Sequence, residues 1–535
     1  MKDLWIKTRP PENGKGQWMA SIVVSFCFCS AGMTFAWTSP AFSKIKEDHV
    51  DFQLDQYEMS MIVVLGCVGR LLSPLPISYV MDAIVSCCFF TSGMAMAWTS
   101  PAFFKIKQKK VDISLDQYQM SLIAAIPFAG RFFSPLPMSY VMDITGRKSA
   151  LIFGRLLQIV HWLMIYFSHN IYVLYSARLI NGWYAGMAVF TIPVYIGETT
   201  HKTTRGRAQG VMTFQFLLGV VFETVIGAFL SYDDLILCSG GVDLFFLIFM
   251  FMIPESPYYY MMHGNYDDAS ASLQWLRGRE EDITKEFRKI DKNMNLQQKE
   301  SNFIDIFKIR STRKAITIVV MLMIIQRMSG MSVIIPFSSF ILPETSWLSS
   351  ENGSIILNCT YLVVCAISGY FVDYWGRKNF LVLSSSGTGI FMLGCSIWFY
   401  LDYSESYDVR GTEWVVITFL ILQAALYSTG YFFIPSLVMS ELFPMRVKAK
   451  ANAIGAMVAV LFSTVVVYVF LPVTNSYGLY TNFAVYTISN FIGAIYSTTI
   501  VETKGKSLEN IQAILEGRSY TSESTIVFNV EEDEP

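Results

Sequence analysis

The sequence predicts an all-α polytopic membrane protein built from two related halves, with an extra duplicated helix hairpin at the N-terminus. Three observations predict it. Only 15% of the 535 residues are charged, against about 25% in soluble domains. Fourteen stretches are long and apolar enough to cross a bilayer, which takes roughly 20 residues as a helix. A short charged turn behind an aspartate occurs twice between such stretches, as Asp143-Ile144-Thr145-Gly146-Arg147-Lys148 and as Asp373-Tyr374-Trp375-Gly376-Arg377-Lys378.

The candidate spans fall near 18–41, 57–82, 84–104, 118–142, 149–168, 172–197, 208–231, 234–254, 314–342, 353–374, 379–401, 412–440, 449–472 and 476–501. Hydrocarbon offers the backbone no hydrogen-bond partner, so each is read as a helix. A membrane β-barrel would need short alternating segments instead. Residues 1–17 are polar and carry no cleavable leader pattern. The nine cysteines all lie in apolar stretches, make no CxxC pair and suggest no disulfide framework. A net charge of −2 points to no nucleic-acid partner. The five histidines are scattered, and no nucleophile motif, metal cluster or nucleotide loop is visible. The expectation is therefore not an enzyme, with no metal and no cofactor.

Residues 25–82 match 86–143 at a constant offset, with 35 of 58 positions identical. Each copy is a helix pair. The first ends Met81-Asp82-Ala83-Ile84 and lacks the Gly-Arg-Lys turn that the second keeps. The expected organisation is a cytosolic N-terminus (1–17), a supernumerary first pair (18–83), an N-terminal bundle (84–257), a charged linker of short helices (258–313), a C-terminal bundle (314–501) and an acidic tail (502–535). The extra pair is either a true insertion or two alternative exons joined.

Lys and Arg near helix ends set the sidedness. The two Gly-Arg-Lys turns, residues 202–207, the linker, Arg446 to Lys450 and Lys504 to Lys506 share one side, which predicts cytosolic termini. Lys105 to Lys110 run against this assignment. The sequon Asn352-Gly353-Ser354 falls in a loop on the other side, where glycosylation is possible in principle.

At this point the residues resemble the sugar porter family of the major facilitator superfamily, and among those the insect facilitated trehalose transporters. The motifs are Asp143…Gly146-Arg147-Lys148, Ala177-Arg178-Leu179-Ile180-Asn181-Gly182, Tyr195…Glu198…Arg205-Gly206, Pro254-Glu255-Ser256-Pro257, Gln326…Ser329-Gly330, Gly369…Asp373…Gly376-Arg377-Lys378, Glu441-Leu442-Phe443-Pro444 and Glu502-Thr503-Lys504. The resemblance implies a major facilitator fold of two six-helix bundles with a sugar site between them. It implies a facilitative carrier for trehalose or a hexose in the plasma membrane, with a small-molecule sugar and membrane lipid as partners. The second reading is a sugar sensor, or a carrier-like membrane protein that no longer transports.

Asp143, Arg147, Glu198, Arg205, Asp373, Arg377, Glu441 and Arg446 sit at helix ends on one side. They are expected to pair, also across the halves, as a gate. Gln326 is the leading sugar-binding residue, with Ser332 and Gln215 beside it. Three positions depart from the family. Arg327 replaces the second glutamine of a pair, Phe432-Phe433-Ile434-Pro435-Ser436 replaces Gly-Pro-x-Pro-Trp, and Tyr361 stands near an expected asparagine. Arg155, Glu223, Asp243 and Arg327 are charges inside spans, where charge is costly and functional by default. They either pair, titrate, or lie near an interface or a wet cavity, and the last is favoured for each taken singly. No carboxylate occurs in Ser25–Met33 or Ser86–Met94, which favours uniport over proton coupling. Tyr258 to Tyr260 read as an interfacial anchor.

Overall fold

The computed structural model describes residues 77–108, 115–168, 170–200, 205–277, 283–284, 286–288, 290–291, 310–346, 348–404, 409–443, 445–504, 506 and 508–516. The first duplicated copy lies almost wholly outside these residues, so its topology is not addressed. All regular structure among the described residues is helical.

The first half begins with α1 (Ile77–Ala97) and α2 (Thr99–Lys107), which together make one crossing. The expected boundary at 83 is not a turn, because α1 runs straight through it. The first copy has no glycine there to reverse the chain, so the helix continues. The crossing breaks at Trp98 because Pro101 has no N–H for the carbonyl of Ala97. The next crossing is likewise split, into α3 (Gln117–Phe133) and α4 (Pro135–Thr145). Asp116 opens α3 with a reciprocal cap to Gln119, and Pro135 and Pro137 explain the interruption at Ser134. Four unbroken spans follow: α5 (Arg147–Tyr166), α6 (Ile171–Thr199), α7 (Arg205–Phe229) and α8 (Tyr232–Met252). Asn170 and Ser231 cap α6 and α8. The linker holds α9 (Pro257–Met262) and α10 (Tyr266–Arg277).

The second half repeats the pattern. Its first crossing is α11 (Arg310–Met328), α12 (Met331–Ile334) and α13 (Ser338–Ile341), interrupted at Gly330 with φ 99°. Next come α14 (Ser350–Trp375) and α15 (Arg377–Ser404). The fourth crossing is α16 (Glu413–Thr429) plus α17 (Ile434–Leu442), broken at Gly430 just before Pro435. The last spans are α18 (Met445–Tyr477) and α19 (Leu479–Thr499), followed by the short α20 (Leu508–Glu516). Eight crossings among the described residues are unbroken enough, or close enough to it, to qualify as spans by length and hydropathy alone. Three of the others were single segments in the sequence reading and are two or three helices here, while α19 is one helix.

Apolar side chains such as Leu237, Ile248, Phe251, Ile367 and Ile495 remain exposed along these helices. Lipid is the solvent that suits them. The halves meet where α3 packs on α18 and α7 packs on α14. The sequon residue Asn352 is exposed, yet it stands in the first turn of α14 rather than in a loop, because Ser349 caps that helix by accepting from the Asn352 amide at 3.3 Å.

Candidate functional site

The end that carries the two Gly-Arg-Lys turns (the basic end) is built the same way in each half. Gly146 and Gly376 have φ of 97° and 83°, a region open to glycine at little cost. A Cβ at either position would also collide with a carboxylate, of Glu255 and Glu502 respectively. That carboxylate caps the helix that follows. Glu255 accepts from the amides of Arg147 and Lys148 at 2.9 and 3.0 Å. Glu502 accepts from those of Arg377 and Lys378, each at 3.0 Å. Negative charge there satisfies free amides and the helix dipole together.

The arginine of each turn then reaches a glutamate. Arg147 donates to both oxygens of Glu198, at 3.0 and 3.1 Å. Arg377 donates to Glu441 at 3.0 Å. A hydroxyl closes each set: Ser256 donates to Glu198 and Thr503 to Glu441. Burial pushes the Glu255 carboxyl above its usual range, despite the amides around it. Burial also works against the Glu502 carboxylate, but the amides of Lys504, Lys378 and Arg377 outweigh it and hold it below that range.

These sets lie inside one half each. Pairing across the halves is not what brings the described gate residues together: Arg147 joins α5 to α6, and Arg377 joins α15 to α17. Asp143 is exposed and touches Arg147 only at 3.6 Å, one turn away on the chain. The side chains of Arg205, Asp373 and Arg446 lie outside the described residues. Sequence reasoning quoted the segments holding Glu255, Ser256, Glu502 and Thr503 but gave these residues no role. The signal was present: each half ends its sixth crossing in Glu followed by Ser or Thr. Tyr259, read from the sequence as an interfacial anchor, also contacts the Gly-Arg-Lys turn. Its hydroxyl donates to the carbonyl of Ile144 at 2.9 Å and its ring lies beside the Arg147 guanidinium.

At the far end the halves are joined. Ser100 meets the hydroxyls of Ser338 and Ser339 at 2.9 and 2.8 Å and accepts from the Ser339 amide. Phe103 stacks near Phe337, which stacks on Phe470. Asn358 donates to Thr224 at 3.0 Å, and the hydroxyls of Tyr118 and Tyr468 meet at 3.0 Å.

Between the two ends lies a narrow cleft. Ser92, Phe128, Arg131, Arg178 and Asn181 line it from the first half and Pro336 from the second. Gln326 is buried on the second half. Its amide donates to the carbonyls of Tyr431 and Phe432 at 2.6 and 3.2 Å. Those carbonyls are free because the helix breaks at Gly430, so one part of Gln326 serves the fold. Its Oε1 is buried with no partner, and a buried unpaired acceptor is costly. Tyr361, Tyr427 and Tyr431 are buried with it. The Tyr427 hydroxyl faces the Gln326 carbonyl and the Tyr361 hydroxyl donates to Gln423 at 3.1 Å. Ser332 is buried and faces Ser463 at 3.3 Å. Gln215 is half-buried on α7.

The buried charges did not all fall as expected. Arg155 and Asp243 are fully buried and satisfy each other. Arg155 donates to Asp243 at 2.5 Å and to Thr91 at 2.7 Å, while Trp162 donates to the other carboxyl oxygen at 2.7 Å. Glu223 is also fully buried and takes the Ser239 hydroxyl at 2.9 Å.

A family model described as sugar (and other) transporter matches residues 79–515. The facilitated trehalose transporter Tret1 of Aedes aegypti is 27% identical over 80% of this chain, which spans about half (53%) of that relative's length. Sugar transporter ERD6-like 2 of Arabidopsis thaliana is 28% identical over 80% of this chain and 91% of its own. The inward open conformation of the xylose transporter XylE from E. coli aligns with a TM-score of 0.66 at 19% identity, covering 82% of this chain and 99% of that one.

Proposed function

The chain belongs to the sugar transporter family of the major facilitator superfamily, and from that membership we propose that it is a facilitative carrier for a sugar, working by alternating access. One observation carries the reading. The two halves touch through hydroxyls and rings at the far end, while the described ion pairs at the basic end each stay within one half. Such an arrangement holds the halves together on one face, while the described ion pairs on the other do not bind half to half. Rocking the halves about the cleft would break the far-end contacts and bring the basic-end sets together.

The sugar would lie near Gln326, whose unpartnered oxygen accepts a hydroxyl, with Ser332 and Gln215 as further polar contacts. Buried tyrosines supply faces for the C–H surface of a pyranose. Transport is downhill: the first crossing from Ser86 to Met94 carries no carboxylate to couple a proton. On the distribution of Lys and Arg the basic end faces the cytosol, both termini with it, and the plasma membrane is the site that the family resemblance implies. No enzymatic step is assigned.

Counterflow in vesicles tests this. Purified protein is reconstituted, loaded with cold trehalose or glucose, and presented with the same labelled sugar. Saturable exchange that stops at equal concentrations and ignores pH supports the carrier. Sugar binding without exchange would replace it with the sensor reading, which the departures at Arg327 and Ser436 motivate.

A further inference from the structure

Two arginines near the middle of their crossings, Arg131 and Arg327, make no ion pair among the described residues, and the proposed transport cycle gives them no role. Arg131 stands 14 residues from each end of the crossing made by α3 and α4, about 21 Å at 1.5 Å per residue. Arg327 stands in the last turn of α11, about 26 Å from Arg310 by the same measure. Both are thus near mid-membrane, one on each half, and both precede a break in their helix. Both are half-buried, and the Nε of each is buried without a hydrogen-bond partner. Neither makes an ion pair among the described residues. Arg131 has only the ring of Phe128 at 5.6 Å and lines the cleft. The Arg327 charge bears on Arg131, and the two belong to different halves.

The other buried arginines set the standard. Arg155 has Asp243. Arg178 is held by the carbonyls of Ile123 and Ala95, at 3.3 and 2.9 Å, and by the ring of Trp98. A guanidinium stays charged in a protein, and an unpaired charge in the interior is expensive. A second positive charge in range makes it worse. The arrangement makes physical sense if an anion completes it. Planar, forked donors suit carboxylate and phosphate oxygens. Arg327 adjoins Gln326 in the chain, so an oxyanion and a sugar hydroxyl would be taken by neighbouring residues.

We propose that Arg131 and Arg327 form an oxyanion site at the centre of the cleft, and that the preferred cargo is a sugar bearing a phosphate or a carboxylate rather than a neutral one. This rests on the cleft being the transport path. The halves would close on the anion from both sides, each contributing one guanidinium.

The experiment uses the full chain and five probes: glucose 6-phosphate, glucuronate, glucose, trehalose and inorganic phosphate. Binding is measured on purified protein in detergent and exchange in vesicles. Glucose 6-phosphate, glucuronate or both should bind ~10- to 100-fold more tightly than glucose, the range that one or two charge-assisted hydrogen bonds give. Which of the two wins identifies the anion. Arg327→Gln and Arg131→Gln should each remove that preference, and Arg327→Lys should keep most of it. Equal binding of glucose or trehalose by the wild type would overturn the proposal. So would a preference that survives Arg327→Gln in folded, monodisperse protein. Inorganic phosphate binding as tightly as the sugar phosphate would overturn the sugar half of the claim. Anion preference in detergent without exchange leaves the site standing and removes the carrier reading. Exchange of neutral sugars with no anion preference does the reverse.

Discussion

Glu255 and Glu502 do one job in two halves: each caps the helix that follows a positive-φ glycine and leaves the adjacent arginine free to reach a second glutamate. Arg147→Ala and Arg377→Ala are expected to cut uptake several-fold while surface expression survives, measured by labelled uptake against surface biotinylation. Normal uptake in both would remove any gating role for these turns. The buried pair behaves differently. Asp243→Asn alone leaves the Arg155 charge unmatched in hydrocarbon, and breaking one side of such a pair costs about 3–5 kcal/mol. The double variant Arg155→Met with Asp243→Leu removes both charges, so it should lose less stability than the single one, read by thermal unfolding in detergent. If the double variant is the worse of the two, the pair is not behaving as a matched charge. The motif residues of both turns could be read in the chain because charge between apolar runs stands out. The partners Ser256 and Thr503 stand out only when the two halves are laid side by side, because a hydroxyl next to a loop has no periodicity to mark it.

Among the elements, close helix packing rests on small residues at set places. Gly93 on α1 faces the backbone of Phe216, and Gly219 on α7 faces the carbonyl of Phe90. These glycines bring α1 and α7 together at backbone distance, as membrane helices commonly do. Gly219→Val should push the pair apart and lower stability by ~1–3 kcal/mol, the usual cost of overpacking. The same change at Gly241, where nothing lies within 4 Å of the missing Cβ, should be mild. Similar melting temperatures for the two variants would contradict this packing. The spans were legible because hydrocarbon demands long apolar helices. Their breaks were less so. Pro101, Pro135 and Pro435 were visible as residues, but whether a proline bends a span or ends it depends on what takes up the freed carbonyls. At Gly430 that is Gln326, more than a hundred residues away. One reading changed at this scale: residues 77–83, expected in the extra hairpin, open α1 instead, since the first copy has no Gly-Arg-Lys turn to stop a helix.

For the molecule as a whole, the decisive feature is that the far end is shut by contacts between halves. Ser100 and Ser339 approach with hydroxyls 2.8 Å apart, a separation that a pair of cysteines can bridge with little adjustment. Ser100→Cys with Ser339→Cys should form a disulfide under mild oxidant and stop exchange, and reductant should restore it. Unchanged exchange in fully cross-linked protein would show that the far end need not open. The six described cysteines are all free, so each single variant serves as its control. The amino-acid order by itself determined that this is a two-half, all-helical membrane protein of the sugar transporter family, and it located the turns that mark the basic end. It could do so because lipid enforces length and polarity on every span, and local charge enforces topology. Only the tertiary structure decided which charges find partners. Arg155 and Arg327 look alike in the chain, each a lone cation in an apolar run. Folding brings Asp243 to one and no described carboxylate to the other, because partners in a bundle are chosen by which helix faces meet, and no local pattern records that.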